Sequence, residues 1–489
     1  MQKLSVRSKR ARVGVFGIGL AAYWPQFEGL RDLLVGYQQE VERRLAEMGA
    51  EVVSAGLVDT APAAQAAGDH FAAHNVDLIV CYVGTYSTSS QVLPAVQRRR
   101  APVLVLNLQP LPAMEYPNTD TAAWLANCCA CCVPEISNAF ARSRIQFNVV
   151  SGLLYPATGT AARYFERGWR EIEEWVAAAG VMRELAYARV GFLGHTYPGM
   201  LDMYSDFTMH HAQLGTHIEV LEMDDLQVRV KAATASEIEA KTAEIHQIFD
   251  IAVPGRDRLS QPVTAEALRW SATVAVGLDR LVNDFNLSGL TYYYRGLDAN
   301  ENEELGSTLI VGNSLLTARG IPAAGEGDLK TCMAMLMMDR LGAGGSYTEF
   351  YAMDFNEEFV LMGHDGPGHL QISADRPVLR GLGLFHGKRG YGLSVEFNVQ
   401  LGPVTILGLT QTADGRLKML AAEGESLPGS RLEIGNTNSR LRFGLDPAAF
   451  MDCWCEQGPT HHVALGVGHQ LGKIRKLARL LDLELAVVG

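Results

Sequence analysis

The sequence predicts an α/β protein: two Rossmann-like, doubly wound parallel-sheet domains followed by a mostly antiparallel β-barrel. Three observations carry this expectation. In the first third, continuous Val/Ile/Leu runs alternate with amphipathic stretches, the signature of a parallel sheet covered on both faces. The strand, glycine turn and helix pattern then restarts at Ala188. From about Asp354 onward, short alternating strands and glycine turns take over, as in an antiparallel barrel or sandwich. At about 150 residues per domain, the 489 residues accommodate three domains. Their expected limits are 1–187, 188–321 and 322–489.

In the first domain, RVGVF at 12–16 reads as a strand and 27–48 has helical spacing. EVVSAGL at 51–57, DLIVCYV at 77–83 and VLVL at 103–106 are further strands, with a helix at 60–74. Ligands of such sheets sit beyond the carboxyl ends of the strands. That makes the loops after the third and fourth strands, with Tyr86 and Gln109, candidate binding segments. Gly17-x-Gly19 after the first strand lacks the third glycine of a dinucleotide fingerprint. Tyr23-Trp24-Pro25 follow, and bulky rings suit a pyrophosphate poorly. In the second domain, ARVGFLG from 188 is a strand, helices are expected near 235–251 and 264–286, and GLTYYY starts at 289. The third offers strands at 392–397 and 403–408 and a final helix near 467–481.

The net charge is −12, from 42 Lys+Arg against 54 Asp+Glu, so nucleic acid and anionic membrane are disfavoured as partners. No apolar run approaches the ~20 residues of a membrane span. The basic N-terminal start is followed by VGVFGIG, which reads as a strand opening into a turn and not as a secretion signal, so a cytoplasmic protein is expected. The run Cys128-Cys129-Ala130-Cys131-Cys132 lacks the spacing of a zinc site and reads as small buried hydrophobes on a helix.

Chemistry concentrates in GEGDLK at 325–330, YTEFY at 347–351, GHDGPGH at 363–369 and PTHH at 459–462. Carboxylates and imidazoles in glycine-flanked loops suit Mn²⁺, Mg²⁺ or Co²⁺. Such an ion polarises a substrate carbonyl as a Lewis acid. The same Gly-Glu-Gly-Asp turn serves equally to cap a helix starting near Leu329.

Glu-Gly-Asp-x-Lys-Thr at Glu326, Glu-x-Tyr at Glu349, Gly-His at His364 and the His461-His462 pair resemble, in type and order, the motifs of the L-arabinose isomerases and the related L-fucose isomerase group. The likeness in motif covers about the last third of the chain. It implies a metal-dependent aldose–ketose isomerase acting on a small sugar. Glu326, Glu349, His364 and one histidine of the pair, with His462 favoured, would hold a Mn²⁺-type ion, and His461 would lie beside the substrate. Glu326 and Glu349 would move a proton between C1 and C2, and Tyr351 would line the pocket. By the same resemblance Tyr86 and Gln109 would contact the sugar, partly across a subunit boundary of a homo-oligomer, a hexamer. Tyr23 lies in a first loop that departs from the family's Gly-Ser-Gln-x-Leu-Tyr-Gly, which bears on the substrate more than on the reaction. Two other readings stand beside this one: a metal-dependent lyase or aldolase acting on a sugar, and a non-catalytic sugar-binding protein.

Overall fold

The computed structural model describes residues 10–255, 257–295, 300–382 and 392–489; His386, a candidate neighbour of the metal motif, lies outside them. The chain forms two compact units, one ending at Arg183 and the other beginning at Glu184.

The first unit is built on β1 (Arg12–Ile18), β2 (Glu51–Val58), β3 (Leu78–Val83), β4 (Val103–Gln109) and β5 (Phe147–Leu153). All pair in parallel, in the order β2-β1-β3-β4-β5. The order reverses between β1 and β3, and the crevice at such a switch point is where open α/β sheets take ligands. The central strands are buried along their length, which is why they read as unbroken apolar runs. Edge strand β5 is half exposed, and its mixed FNVVSGL gives no such signal. Gly17 is explained by packing: its N–H donates to Gln38 Oε1 at 3.1 Å. A Cβ there would stand 2.5 Å from that same oxygen.

The second unit opens with β6 (Arg189–Gly194) and β7 (His217–Leu221). The short β8 (Asp250–Ile251) and β9 (Ser260–Gln261) come next, then β10 (Gly289–Tyr293) and β11 (Ala323–Ala324). Strands β11-β10-β6-β7 make a parallel sheet. The long helix Ala265–Phe285 packs beside it through Val274, Leu278 and Leu281.

There follow β12 (Gly344–Asp354), β13 (Phe359–His364), β14 (Val378–Leu382), β15 (Gly392–Glu396), β16 (Gly402–Gln411), β17 (Leu417–Leu427), β18 (Thr437–Phe443), β19 (His462–Val467) and β20 (Glu484–Val487). Strands β16-β19-β12-β13-β18-β17 are antiparallel, and β16 pairs back to β17, so six strands close a barrel. Closure removes the edges that an open sheet would expose. Strand β20 adds in parallel outside β17, while β14 and β15 join β8 and β9 in a small separate sheet. The barrel interior holds Val360, Met362, Ile406, Leu441, Val463 and Leu465. Phe443 and Phe450 stack at 3.9 Å, with Trp454 buried beside them. The barrel begins ten residues before the expected change of texture, because β12 starts at Gly344 and not near Asp354. The last helix is Leu471–Leu480, shorter than the sequence suggested. No helix among the described residues is long and apolar enough to cross a membrane.

One buried group sets a pH dependence. His210, on the helix Phe207–Leu214, is wholly buried and neither ring nitrogen has a hydrogen-bond partner. Burial, and then the nearby Lys330 ammonium, lower its pKa from 6.5 to about 4, against the opposing pull of Asp328 and Asp206. The unfolded chain therefore binds this proton near pH 6.5 and the folded chain only near pH 4, so stability falls as the pH drops through that window. The full difference is on the order of 3 kcal/mol. His210→Leu should flatten the urea-midpoint profile between pH 6.5 and 4, and an unchanged profile would refute the assignment.

Candidate active site

Three neighbouring barrel strands and one loop deliver the candidate residues to one place. In register, Glu349 of β12 stands opposite His462 of β19 on one side and Gly363 of β13 on the other. His364 follows Gly363 at the end of β13. Glu326 comes from the turn after β11, with φ of 61°, a left-handed conformation costly for a side chain bearing a Cβ. Gly327 behind it has φ of 71°, and a Cβ there would stand 2.4 Å from His195 O. Only glycine fits this turn. Asp328 then caps the buried helix Leu329–Arg340, accepting from Thr331 N at 3.0 Å.

The distances are short. His364 Nε2 lies 3.1 Å from His462 Nε2 and 3.9 Å from Glu349 Oε1. His462 Nε2 lies 3.6 Å from Glu326 Oε2. Two overlapping groups, Glu349–His364–His462 and Glu326–His461–His462, each have ligand atoms within 4.8 Å of one another. His462 is common to both. Glu326 Oε2 is buried and accepts no hydrogen bond. Such an orphaned acceptor is costly unless a cation meets it. Mixed carboxylate and imidazole donors at this spacing fit a divalent ion of the Mn²⁺, Mg²⁺ or Co²⁺ type.

Asp328 fixes the orientation of His462. Its carboxylate is fully buried, a penalty that the His462 hydrogen bond, the His462 and Lys330 charges and Thr331 N–H together outweigh, so its pKa is lowered. An ionised carboxylate only accepts, so at 3.0 Å the proton between them sits on His462 Nδ1. Nε2 is thereby left as a lone pair facing His364 and Glu326. Burial, the largest influence, and the His364 and His461 imidazoles lower the pKa of His462. His364 moves the opposite way: burial pulls its pKa down, but Asp365, Glu349 and Glu326 carry it up. Asp365 Oδ1 is 3.2 Å from His364 Nδ1. Tyr347, two residues before Glu349, donates its hydroxyl to Gly325 O at 3.2 Å, so its oxygen, 2.8 Å from His462 Nδ1 and 3.1 Å from Nε2, is a second acceptor beside Asp328. Its ring packs 4.4 Å from those of His364 and His462.

His461 turns toward the loop after β6. Asp202 Oδ2 accepts from its Nδ1 at 2.6 Å and from its backbone N at 2.9 Å. Asp202 is held at about 2 despite burial, by these bonds and the His461 charge. Its loop is tied down by Lys330, whose Nζ donates to Tyr204 O at 2.9 Å and Ser205 Oγ at 3.0 Å. A cavity lined by Tyr293, Arg295, Glu303, Glu326, His364 and Asp365 borders the cluster.

The structure thus brings Glu326, Glu349, His364, His461 and His462 together. Tyr351 follows Glu349 at a register irregularity between Phe350 and Ala352, and its hydroxyl accepts from Asn436 Nδ2 at 2.8 Å. Tyr23, Tyr86 and Gln109 belong to the other compact unit. There Tyr86 donates to Glu135 Oε2 at 3.3 Å, Gln109 donates to Leu111 O at 2.5 Å, and Tyr23 meets Phe27 edge-on. His369 pairs with Asp339 at 3.4 Å. The sequence reads Asp328 as a helix cap but not as the partner of His462, and gives Tyr347 and Asp202 no part in the site. The period of two along β12 would have placed Tyr347 on the Glu349 face, whereas nothing local marks Asp202 as a partner of His461.

The L-arabinose isomerase central-domain model matches residues 205–344, and the C-terminal-domain model matches 344–484. The chain belongs to the arabinose isomerase family. Glu326 falls in the stretch matched by the central-domain model and Glu349, His364 and His462 in that matched by the C-terminal one. An L-arabinose isomerase from Acidothermus cellulolyticus is 24% identical, over 84% of this chain and 80% of that protein. One from Nocardioides sp. is 22% identical with the same coverage. Among solved structures, a periplasmic solute-binding protein from Actinobacillus succinogenes with bound D-allose covers 64% of this chain and 83% of its own, at 11% identity and a TM-score of 0.17, too low to speak to function.

Proposed function

We propose that this chain is a divalent-metal-dependent aldose–ketose isomerase. The observation that carries the reading is the pair of overlapping triads, Glu349–His364–His462 and Glu326–His461–His462, that gather Glu326, Glu349 and His364 about the shared His462 beside a cavity. Membership of the arabinose isomerase family supports it. In this reading those four residues hold the ion, which when bound supplies Lewis-acid polarisation of the sugar oxygens. His461, anchored by Asp202, stands beside the sugar. One carboxylate of the Glu326/Glu349 pair takes the C2 proton and the other delivers a proton to C1. Glu349 keeps 31% of its side chain exposed against 12% for Glu326, so Glu349 is the more accessible to an entering sugar.

The test is a panel of pentoses and hexoses incubated with Mn²⁺ and scored for ketose. Conversion of at least one aldose, lost on chelation and restored by Mn²⁺, is expected. Run in deuterium oxide, proton transfer incorporates solvent label into the ketose, whereas a hydride shift leaves it unlabelled. If no aldose converts and calorimetry finds no Mn²⁺ binding, the reading fails. Cleavage products in place of a ketose would establish a lyase instead.

A further inference from the structure

The cysteine run does not lie on a helix. It forms the turn between the helices Thr121–Ala126 and Val133–Arg142, with Cys132 at the cap of the second. Cys129 and Cys132 are buried, as the sequence suggests, but Cys131 is exposed. Cys131 Sγ stands 2.8 Å from Cys128 Sγ and 3.1 Å from Cys128 O. Two sulfurs three positions apart, one exposed and one buried, have the spacing that dithiol redox motifs use. The surroundings add a second observation. Cys129 Sγ lies 3.9 Å from Gly84 O and 3.7 Å from Leu108 O, and Cys132 Sγ lies 3.7 Å from Thr85 O, while Leu125 and Ala126 just before the run pack with Tyr23 and Trp24. Tyr23 and Trp24 follow β1, and Gly84 and Thr85 follow β3, the two strands at which the sheet order reverses. The sulfur pair therefore sits at the ligand crevice of its own unit.

We propose that Cys128 and Cys131 form a thiol–disulfide exchange site, closed reversibly by small disulfides of the glutathione class. Cys131, the exposed sulfur, attacks the disulfide RSSR as thiolate. This forms a Cys131–S–SR bond and releases RS⁻. Cys128 then gives its proton to RS⁻, and its sulfur displaces the second RS⁻ from Cys131. The second RS⁻ takes up from water the proton that Cys131 released on becoming a thiolate, so two protein thiols are oxidised by two electrons and one RSSR is reduced to two RSH. The order follows from access: burial and the Cys131 hydrogen bond push the Cys128 thiol up to about 12, which suits a resolving sulfur better than a first attacker.

The test equilibrates the full chain with mixtures of reduced and oxidised glutathione, followed by intact mass and peptide mapping. The peptide spanning Cys128–Cys131 should lose two hydrogens and carry no adduct, and reductant should restore it. Cys128→Ser should trap glutathione on Cys131, and Cys131→Ser should abolish both bond and adduct in this segment. The exposed Cys453 and Cys455 are an internal control for reagent strength. Free Cys128 and Cys131 in a mixture that modifies this control would overturn the proposal, as would a bond mapped to Cys129 or Cys132. The readout is independent of isomerase activity.

Discussion

Glu326→Gln is expected to lower kcat for the converted aldose by about 10²–10⁴-fold, with the thermal midpoint and far-UV circular dichroism unchanged. The amide has the size of the carboxylate and asks no more of the backbone, since φ of 61° is already imposed on a residue with a Cβ. The fold is therefore insulated from the change. What is lost is the charge on Oε2, a buried atom that accepts no hydrogen bond and lies 3.6 Å from His462 Nε2. In the proposed mechanism that oxygen is both a ligand and a partner in proton transfer, so the variant removes both contributions together. Manganese titration separates them: a modest loss of affinity beside a large loss of kcat assigns Glu326 chiefly to proton transfer. Near-normal turnover would overturn the assignment of the site.

Much of this architecture is legible in the sequence because its signals are local. The buried strands β1, β3 and β4 announce themselves as apolar runs, since both of their faces are covered. The cap at Asp328 is readable from the residue before Leu329. Edge strand β5 and the early start of β12 are not, because half-exposed or strand-to-helix packed segments lose the clean alternation that marks a strand. At the site, residue types and order foretell which groups meet. The partners that hold them do not follow from spacing. Asp202 and His461 are distant in sequence and meet where the loop after β6, which Lys330 ties to the Leu329–Arg340 helix through Tyr204 and Ser205, reaches the start of β19. The cysteine run was misread for a related reason: composition alone cannot tell a buried helix face from a turn that exposes one of its sulfurs.

Asp328→Asn distinguishes two roles that the wild-type residue combines. Asparagine is as good a helix cap as aspartate, so the bond from Thr331 N to Oδ1 survives. If capping were the whole role of Asp328, stability and metal binding would both stay near wild type. The structure argues otherwise, because Oδ2 also accepts from His462 Nδ1 at 3.0 Å and from Thr331 Oγ1 at 2.8 Å. An amide nitrogen in that place donates, and two donors cannot face one another. His462 is then left to turn its Nδ1–H toward Tyr347 Oη, 2.8 Å away, or to move its proton to Nε2, and either change disturbs the lone pair aimed at Glu326 and His364. Loss of an orienting partner of this kind typically weakens metal affinity by about 10–100-fold. Breaking a buried charged hydrogen bond costs a further ~1.5–3 kcal/mol of stability. Calorimetric titration with Mn²⁺ and urea unfolding, each compared with Asp328→Ala, read the two effects separately. The alanine variant should match the loss of affinity and add about 1 kcal/mol for the missing cap. An Asn variant with unaltered Mn²⁺ affinity would show that the carboxylate serves the helix and not the histidine.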